Sequence, residues 1–129
     1  MSESNIELVK RAYGAYAKGD FGTAFSLFDH EIEIIQTPDL PWGGKHIGFQ
    51  GAKAFFSKIA EYIDAQPHPE TYIPAGDDIA VVGRLQGKTR KTNRPIDIAI
   101  VHIWTIREGK FTRFQAFIDT PAMLAALHA

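Results

Sequence analysis

His102, Arg113, Gln115 and Asp119 are the residues of this chain best typed and spaced for proton chemistry. They lie in PIDIAIVHIWTIREGKFTRFQAFID, residues 95–119, two β-rich runs joined at Arg107-Glu108-Gly109-Lys110. Pairing across Glu108-Gly109 sets His102 opposite Gln115, Trp104 opposite Arg113 and Ile100 opposite Phe117, with Asp119 one step further on the same face. A histidine titrates near neutrality and a carboxylate can orient it, so His102 and Asp119 form a candidate acid–base pair. In the alternative reading this face meets a second copy of the chain, with His102 hydrogen-bonded inside the contact. Asp119 also precedes Thr120-Pro121, where its carboxylate would serve the free amides of a helix start.

Other polar residues carry weaker signals. Tyr13 and Tyr16 recur with Ile6 and Val9 at helical spacing, which places both phenols on a buried stripe. Such phenols either find a structural partner or donate to a ligand. Trp42 and His46 fall in the proline- and glycine-rich stretch 38–48, expected as a loop at a cavity mouth. An exposed loop tryptophan needs a cover, from a ligand or from a partner subunit. Gly43-Gly44 beside Lys45 lacks the following helix pattern of a phosphate cradle. His30, His68 and His128 read as solvated surface residues. No histidine–carboxylate spacing marks a metal site, and the chain has no cysteine for a thiolate ligand, nucleophile or disulfide. Lys88, Arg90, Lys91 and Arg94 form a short basic cluster at a turn, read as a solvated loop.

The elements that must position these residues follow from periodicity. Ser4 and Glu7 fit a capping box ahead of the first helix, and Gly19-Asp20 ends it and caps a second through Phe28. Glu31 to Thr37 alternates as a half-buried strand that Pro38 stops. A third helix covers roughly Gly51 to Asp64, with Phe55 and Phe56 on its apolar face, and Pro67 and Pro69 close it off. An antiparallel meander is expected next: a short strand at Thr71 to Pro74, a longer one at Ile79 to Thr89, then the hairpin. From Ile96 to Ile106 the apolar residues barely alternate, so this strand needs cover on both faces.

The 129 residues suit one domain, 1–129, with a substantial core. Hydrophobic content of 45% against 22% charged residues excludes a disordered chain. A net charge of −1 gives no general attraction to nucleic acid or to an anionic membrane, so neither is expected as a partner. The opening MSESNIELVK has no long apolar run for secretion or membrane insertion, and a cytoplasmic location is expected.

This order of elements resembles the nuclear transport factor 2-like superfamily, and within it the ketosteroid-isomerase-related, SnoaL-like branch. The residues that carry the likeness are Leu8-Val9-Lys10-Arg11 through Lys18-Gly19-Asp20, and Ala24-Phe25-Ser26-Leu27-Phe28. They continue in His102-Ile103-Trp104-Thr105-Ile106-Arg107-Glu108-Gly109-Lys110, leading to Phe117-Ile118-Asp119-Thr120. The resemblance implies a cone-like α+β barrel, N-terminal helices packed on a strongly curved antiparallel sheet. It also implies a small hydrophobic molecule held between helices and sheet, and a homodimer through the outer sheet face.

The likeness does not bring a reaction with it. Ketosteroid isomerases use an aspartate base, with a tyrosine and a protonated aspartic acid as oxyanion donors. Without gaps these positions fall on Gln36, Ala12 and Val101, which can neither take the proton nor donate to an oxyanion. The aspartate of limonene-type epoxide hydrolases falls on Ala116. A one-residue shift brings in Tyr13, Thr37 or His102 instead. The gap-free register points Val101, Phe114 and Ala116 into the cavity and so favours His102 at the dimer contact. The expected ligand-binding residues are Tyr13, Tyr16, Gln36 and Trp42, with Phe56, Val101 and Phe114. Two functions are compatible with these residues. One is cofactor-free isomerisation, hydration or cyclisation of a hydrophobic or polycyclic substrate; the other is a non-catalytic ligand-binding or dimerisation module.

Overall fold

A computed structural model describes residues 2–128, with side chains from Asn5 onward. Helices α1 (Ser2–Ala17) and α2 (Phe21–Ser26) precede β1 (Phe28–Gln36) and β2 (Gly44–Ile47). Helix α3 (Gly48–Tyr62) leads into β3 (Ile63–Ala75), β4 (Asp78–Thr89), β5 (Pro95–Arg107) and β6 (Lys110–Ile118), and α4 (Thr120–Leu127) follows. The six strands form one sheet in the order β2-β1-β6-β5-β4-β3. All neighbours are antiparallel except β1 and β6, which run parallel. The sheet curls without closing, an α+β cone with β2 and β3 at its open edges.

Local chemistry explains most boundaries. Val9, Ala12 and Ala15 bury one stripe of α1, with Tyr13 and Tyr16 half-buried beside it. Gly19 at φ +74° turns the chain out of that helix in the left-handed conformation that glycine adopts without strain. Asp20 then caps α2, its carboxylate accepting from the Thr23 amide at 3.2 Å and from the Thr23 hydroxyl at 2.6 Å. Helix α1 already runs from Ser2, so Ser4 stands within it, and the capping role expected of its side chain lies outside the described residues.

Three stretches differ from expectation. Helix α2 ends at Ser26, and Phe28, expected on it, opens β1. The loop expected over 38–48 contains β2, which pairs with β1 from Glu33↔Ile47 to Gln36↔Gly44. The stretch after α3 is a strand of 13 residues, although it holds Pro67, Pro69 and Pro74. Proline cannot donate to a ladder, but β3 is an edge strand with a partner on one side only, and a register shift sits between Pro69 and Thr71.

The β5–β6 hairpin turns at Glu108 and Gly109, both at positive φ, the backbone hand that matches strand twist in a two-residue turn. From the turn, Arg107↔Lys110 and Ile106↔Phe111 pair as the sequence predicts. Thr112 then bulges out, and every later pair slips by one: Trp104↔Phe114, Ile103↔Gln115, His102↔Ala116, Ile100↔Ile118. The expected pairs His102–Gln115, Trp104–Arg113 and Ile100–Phe117 are therefore not formed.

Ile96, Ile98, Ile100, His102, Trp104 and Ile106 all point from β5 into the core. Val101 and Ile103 are half-buried on the outer face, and Phe117 of β6 is 53% exposed on it. Strand β5 lies between β6 and β4, away from both edges. Helix α4 packs on β5 and buries Met123 completely.

Candidate functional site

The inner face of the sheet, α1 and α3 enclose a cavity with aromatic and aliphatic walls. The cavity volume is about 100 Å³. Among the described residues no charged side chain lines the cavity. Phe28, Phe55, Phe56 and Phe114 supply much of the surface, and the polar groups come from Tyr13, Tyr16, Gln36, Trp42, His102 and Trp104.

Three of those polar residues form one array. The Tyr13 ring on α1 lies nearly parallel to that of His102 on β5, planes 5° apart and centroids 5.9 Å apart, edge to edge rather than stacked, and it meets Trp104 edge-on. Its hydroxyl lies 2.6 Å from His102 Nδ1, and the Trp104 indole N–H donates to it at 2.9 Å. His102 and Trp104 alternate on β5 and so share its inward face, while the spacing of α1 brings Tyr13 over them. Phe114 closes the other side, 4.2 Å from Trp104 and 4.9 Å from His102 between ring centroids. Burial among these rings pushes His102 down from 6.5 to about 4, because an imidazolium would lose its hydration with no anion to replace it. Burial raises Tyr13 as well, against the opposing pull of the Trp104 N–H. At neutral pH both groups are uncharged.

A second polar pair lies on β1. Gln36 is the inward residue after Ile32 and Ile34, and its Oε1 accepts from the Trp42 indole N–H at 2.8 Å. Trp42 is buried within its own chain at 2% exposure, so it needs cover from neither a ligand nor a partner subunit, contrary to expectation. His46 is a clamp for that loop: its Nε2 donates to the carbonyls of Trp42 and Gly43, both at 3.1 Å, and its ring packs on Phe55. Gly43 permits the close approach, since a Cβ there would stand 1.7 Å from the Thr37 carbonyl oxygen.

Of the residues expected from sequence, Tyr13, Tyr16, Gln36, Trp42, Phe56, Phe114 and His102 line the cavity. Val101 does not: the inward parity of His102 turns its neighbour to the outer face. Asp119 is not beside His102 either. Its carboxylate accepts from the Ala122 amide at 3.2 Å as the N-cap of α4, and its own amide bonds the Ala99 carbonyl. Arg113 and Gln115 stand with Phe117 on the outward side of β6, so the expected cluster around His102 is dispersed. Ala65, Pro67 and Leu85, which complete the wall from β3 and β4, are not expected from sequence. The prolines of β3 mask its length, and with it the alternation that would have marked them. Among the described residues no three histidine, aspartate or glutamate side chains gather as a metal site.

Solved structures share this architecture. An NTF2-like protein of unknown function from Burkholderia pseudomallei superimposes with a TM-score of 0.91 over 98% of each chain at 22% identity. TerC, co-crystallised with polyporic acid, gives 0.90 at 25% identity over 98% of this chain and 99% of its own. A protein assigned as a SnoaL-like polyketide cyclase from Jannaschia gives 0.87 at 19% identity over 99% and 94%. No functionally curated protein matches the sequence. The SnoaL-like domain model matches residues 9–114, and with that span the chain belongs to the SnoaL-like domain family.

Proposed function

We propose that this protein binds a hydrophobic or polycyclic small molecule in the cavity and converts it by cofactor-free isomerisation, hydration or cyclisation. The observation that carries the reading is the Tyr13–His102–Trp104 array, a buried hydrogen-bonded set facing an otherwise apolar cavity. That the similar protein TerC was co-crystallised with polyporic acid supports a small-molecule reading of the cavity. In this reading His102, held by Tyr13, and Gln36 polarise a ligand oxygen while the aromatic rings sandwich its body. The test is turnover of a panel of polycyclic enones and hydroxyquinones in buffer alone, with His102→Asn as control. Asparagine keeps an acceptor for the Tyr13 hydroxyl and removes the rest of the imidazole. Abolished turnover in a variant that melts near the parent supports the reading, and collapse of the fold assigns His102 to packing.

A non-catalytic ligand-binding module is the second reading. It is favoured by the methyl groups of Ala12 and Ala116, which line the cavity at positions that the family resemblance matches to an oxyanion-donating tyrosine and to a catalytic aspartate. Native mass spectrometry that finds a retained ligand, with no compound ever converted, selects it. In either case we propose a homodimer in the cytoplasm, formed through the outer sheet face where Phe117, Val101 and Ile103 leave apolar surface uncovered.

A further inference from the structure

The Tyr13 hydroxyl has two partners and one proton. Trp104 Nε1 only donates, so it occupies a lone pair of the phenol oxygen. Among the described residues, His102 Nδ1 is the acceptor within reach of the phenol proton. Were Nδ1 itself protonated, two donors would converge on one oxygen and the Tyr13 proton would face apolar surface unmet, a costly arrangement for a buried group. Gln36 is oriented by the same logic. Trp42 Nε1 donates to its Oε1, which fixes the amide so that its NH₂ is the free end. Neither that NH₂ nor His102 Nε2 has a partner among the described residues, and neither is sealed off: the one buried, unpartnered side-chain oxygen or nitrogen there is Gln66 Oε1 on β3.

We infer that Trp104 and Tyr13 act as positioning residues that hold His102 in the tautomer protonated at Nε2, so that the cavity meets its ligand with hydrogen-bond donors, from His102 and the Gln36 amide. The matching ligand is uncharged and carries an oxygen acceptor, a carbonyl or quinone oxygen. A carboxylate would enter a wall that holds no cation among the described residues. The ligand class rests on the cavity being a small-molecule site; the tautomer does not.

The tautomer is read on ligand-free, ¹⁵N-labelled protein at pH 7, with the His102 signals identified by their absence in His102→Asn. The expected spectrum shows a proton-bearing Nε2 and a pyridine-type Nδ1. Tyr13→Phe should remove the hydrogen-bond shift of Nδ1 and release the tautomer, so that part of the proton population moves from Nε2 to Nδ1. A proton on Nδ1 in the parent, or an Nδ1 signal indifferent to Tyr13→Phe, overturns the tautomer. The ligand class is read by calorimetry with 9-fluorenone, fluorene and fluorene-9-carboxylate, and by the infrared carbonyl band of bound fluorenone. Fluorenone is expected to bind about tenfold more tightly than fluorene, the worth of one good hydrogen bond, with its carbonyl band lowered. Equal binding of fluorene, an unshifted band, or preference for the carboxylate overturns the donor assignment while the cavity stays a hydrophobic site. Failure of all three to bind overturns the ligand class together with the proposed function, and leaves the tautomer standing on its own spectrum.

Discussion

Lowering the pH from 7 to 4.5 presses a proton onto an imidazole set in an apolar wall. In the folded chain burial holds His102 at about 4, and in the unfolded chain it returns to the ordinary 6.5. Between those values the unfolded chain binds a proton that the folded chain refuses. The unfolded state therefore holds more protons, and stability rises with pH across this window and is lost on acidification. Linkage gives a loss of about 1 kcal/mol by pH 5.5 and about 2–3 kcal/mol by pH 4.5, relative to pH 7. Asp20 and Asp97, whose carboxyls are held low by hydrogen bonds from Thr23 and Arg84, also weaken in acid, but equally so in a His102 variant. The measurement is urea unfolding of the parent and His102→Asn at pH 7, 5.5 and 4.5. Tryptophan fluorescence is a suitable signal because both tryptophans of the chain, Trp42 and Trp104, line the cavity. The stability gap between the two proteins should close by about 2–3 kcal/mol toward pH 4.5. Parallel pH profiles would refute the reasoning, since they would mean that His102 is hydrated or charged in the folded protein.

Four substitutions probe the supporting structure. Gln36→Leu strands the buried Trp42 N–H and should cost about 1–3 kcal/mol in urea unfolding; no cost would show that the indole finds another acceptor. Gly43→Ala drives a Cβ to 1.7 Å from the Thr37 oxygen and should lower stability by about 1–3 kcal/mol, checked by the melting temperature. Asp119→Ala removes the α4 cap at a cost of about 1 kcal/mol and should leave fluorenone affinity unchanged; a selective loss of affinity would return Asp119 to the site. Phe117→Glu should turn dimers into monomers by light scattering at micromolar concentration, and a dimer that survives it removes this face from the interface.

The helices were legible because their signals are local. Asp20 and Thr23 announce the start of α2 within four residues, and the stripe of α1 is set by spacing alone. The α+β order followed from the same patterning, and the curl of the sheet from the family resemblance. What stayed hidden depends on partners distant in sequence. Prolines 67 and 69 read as a barrier, and they are tolerated only because β3 has a neighbour on one side. Trp42 read as an exposed loop residue because nothing near it in sequence shows that β2 folds back on β1 and that Gln36, six residues earlier, will take its N–H.

Which face of β5 looks inward was harder to read, and there the chemistry turns on a single residue. A strand alternates with period two, so one extra residue in the partner exchanges its faces without disturbing β5 itself. In an unbroken ladder, His102 would share its face with Gln115 and Arg113, and Phe114 and Ala116 would share theirs with Val101. Both arrangements are self-consistent in sequence, one polar and one apolar. Thr112 bulges from β6, with its hydroxyl bonded to the Thr105 carbonyl, and so neither arrangement forms. His102 faces Phe114 and Ala116 instead. That mixed face joins a titratable group to an apolar wall, and the joining sets its chemistry. Beside Arg113 and Asp119, His102 would be a hydrated group with an ordinary affinity for protons. Among Phe114, Trp104 and Tyr13 it is neutral through the physiological range, with one nitrogen bound to a phenol and the other without a partner among the described residues.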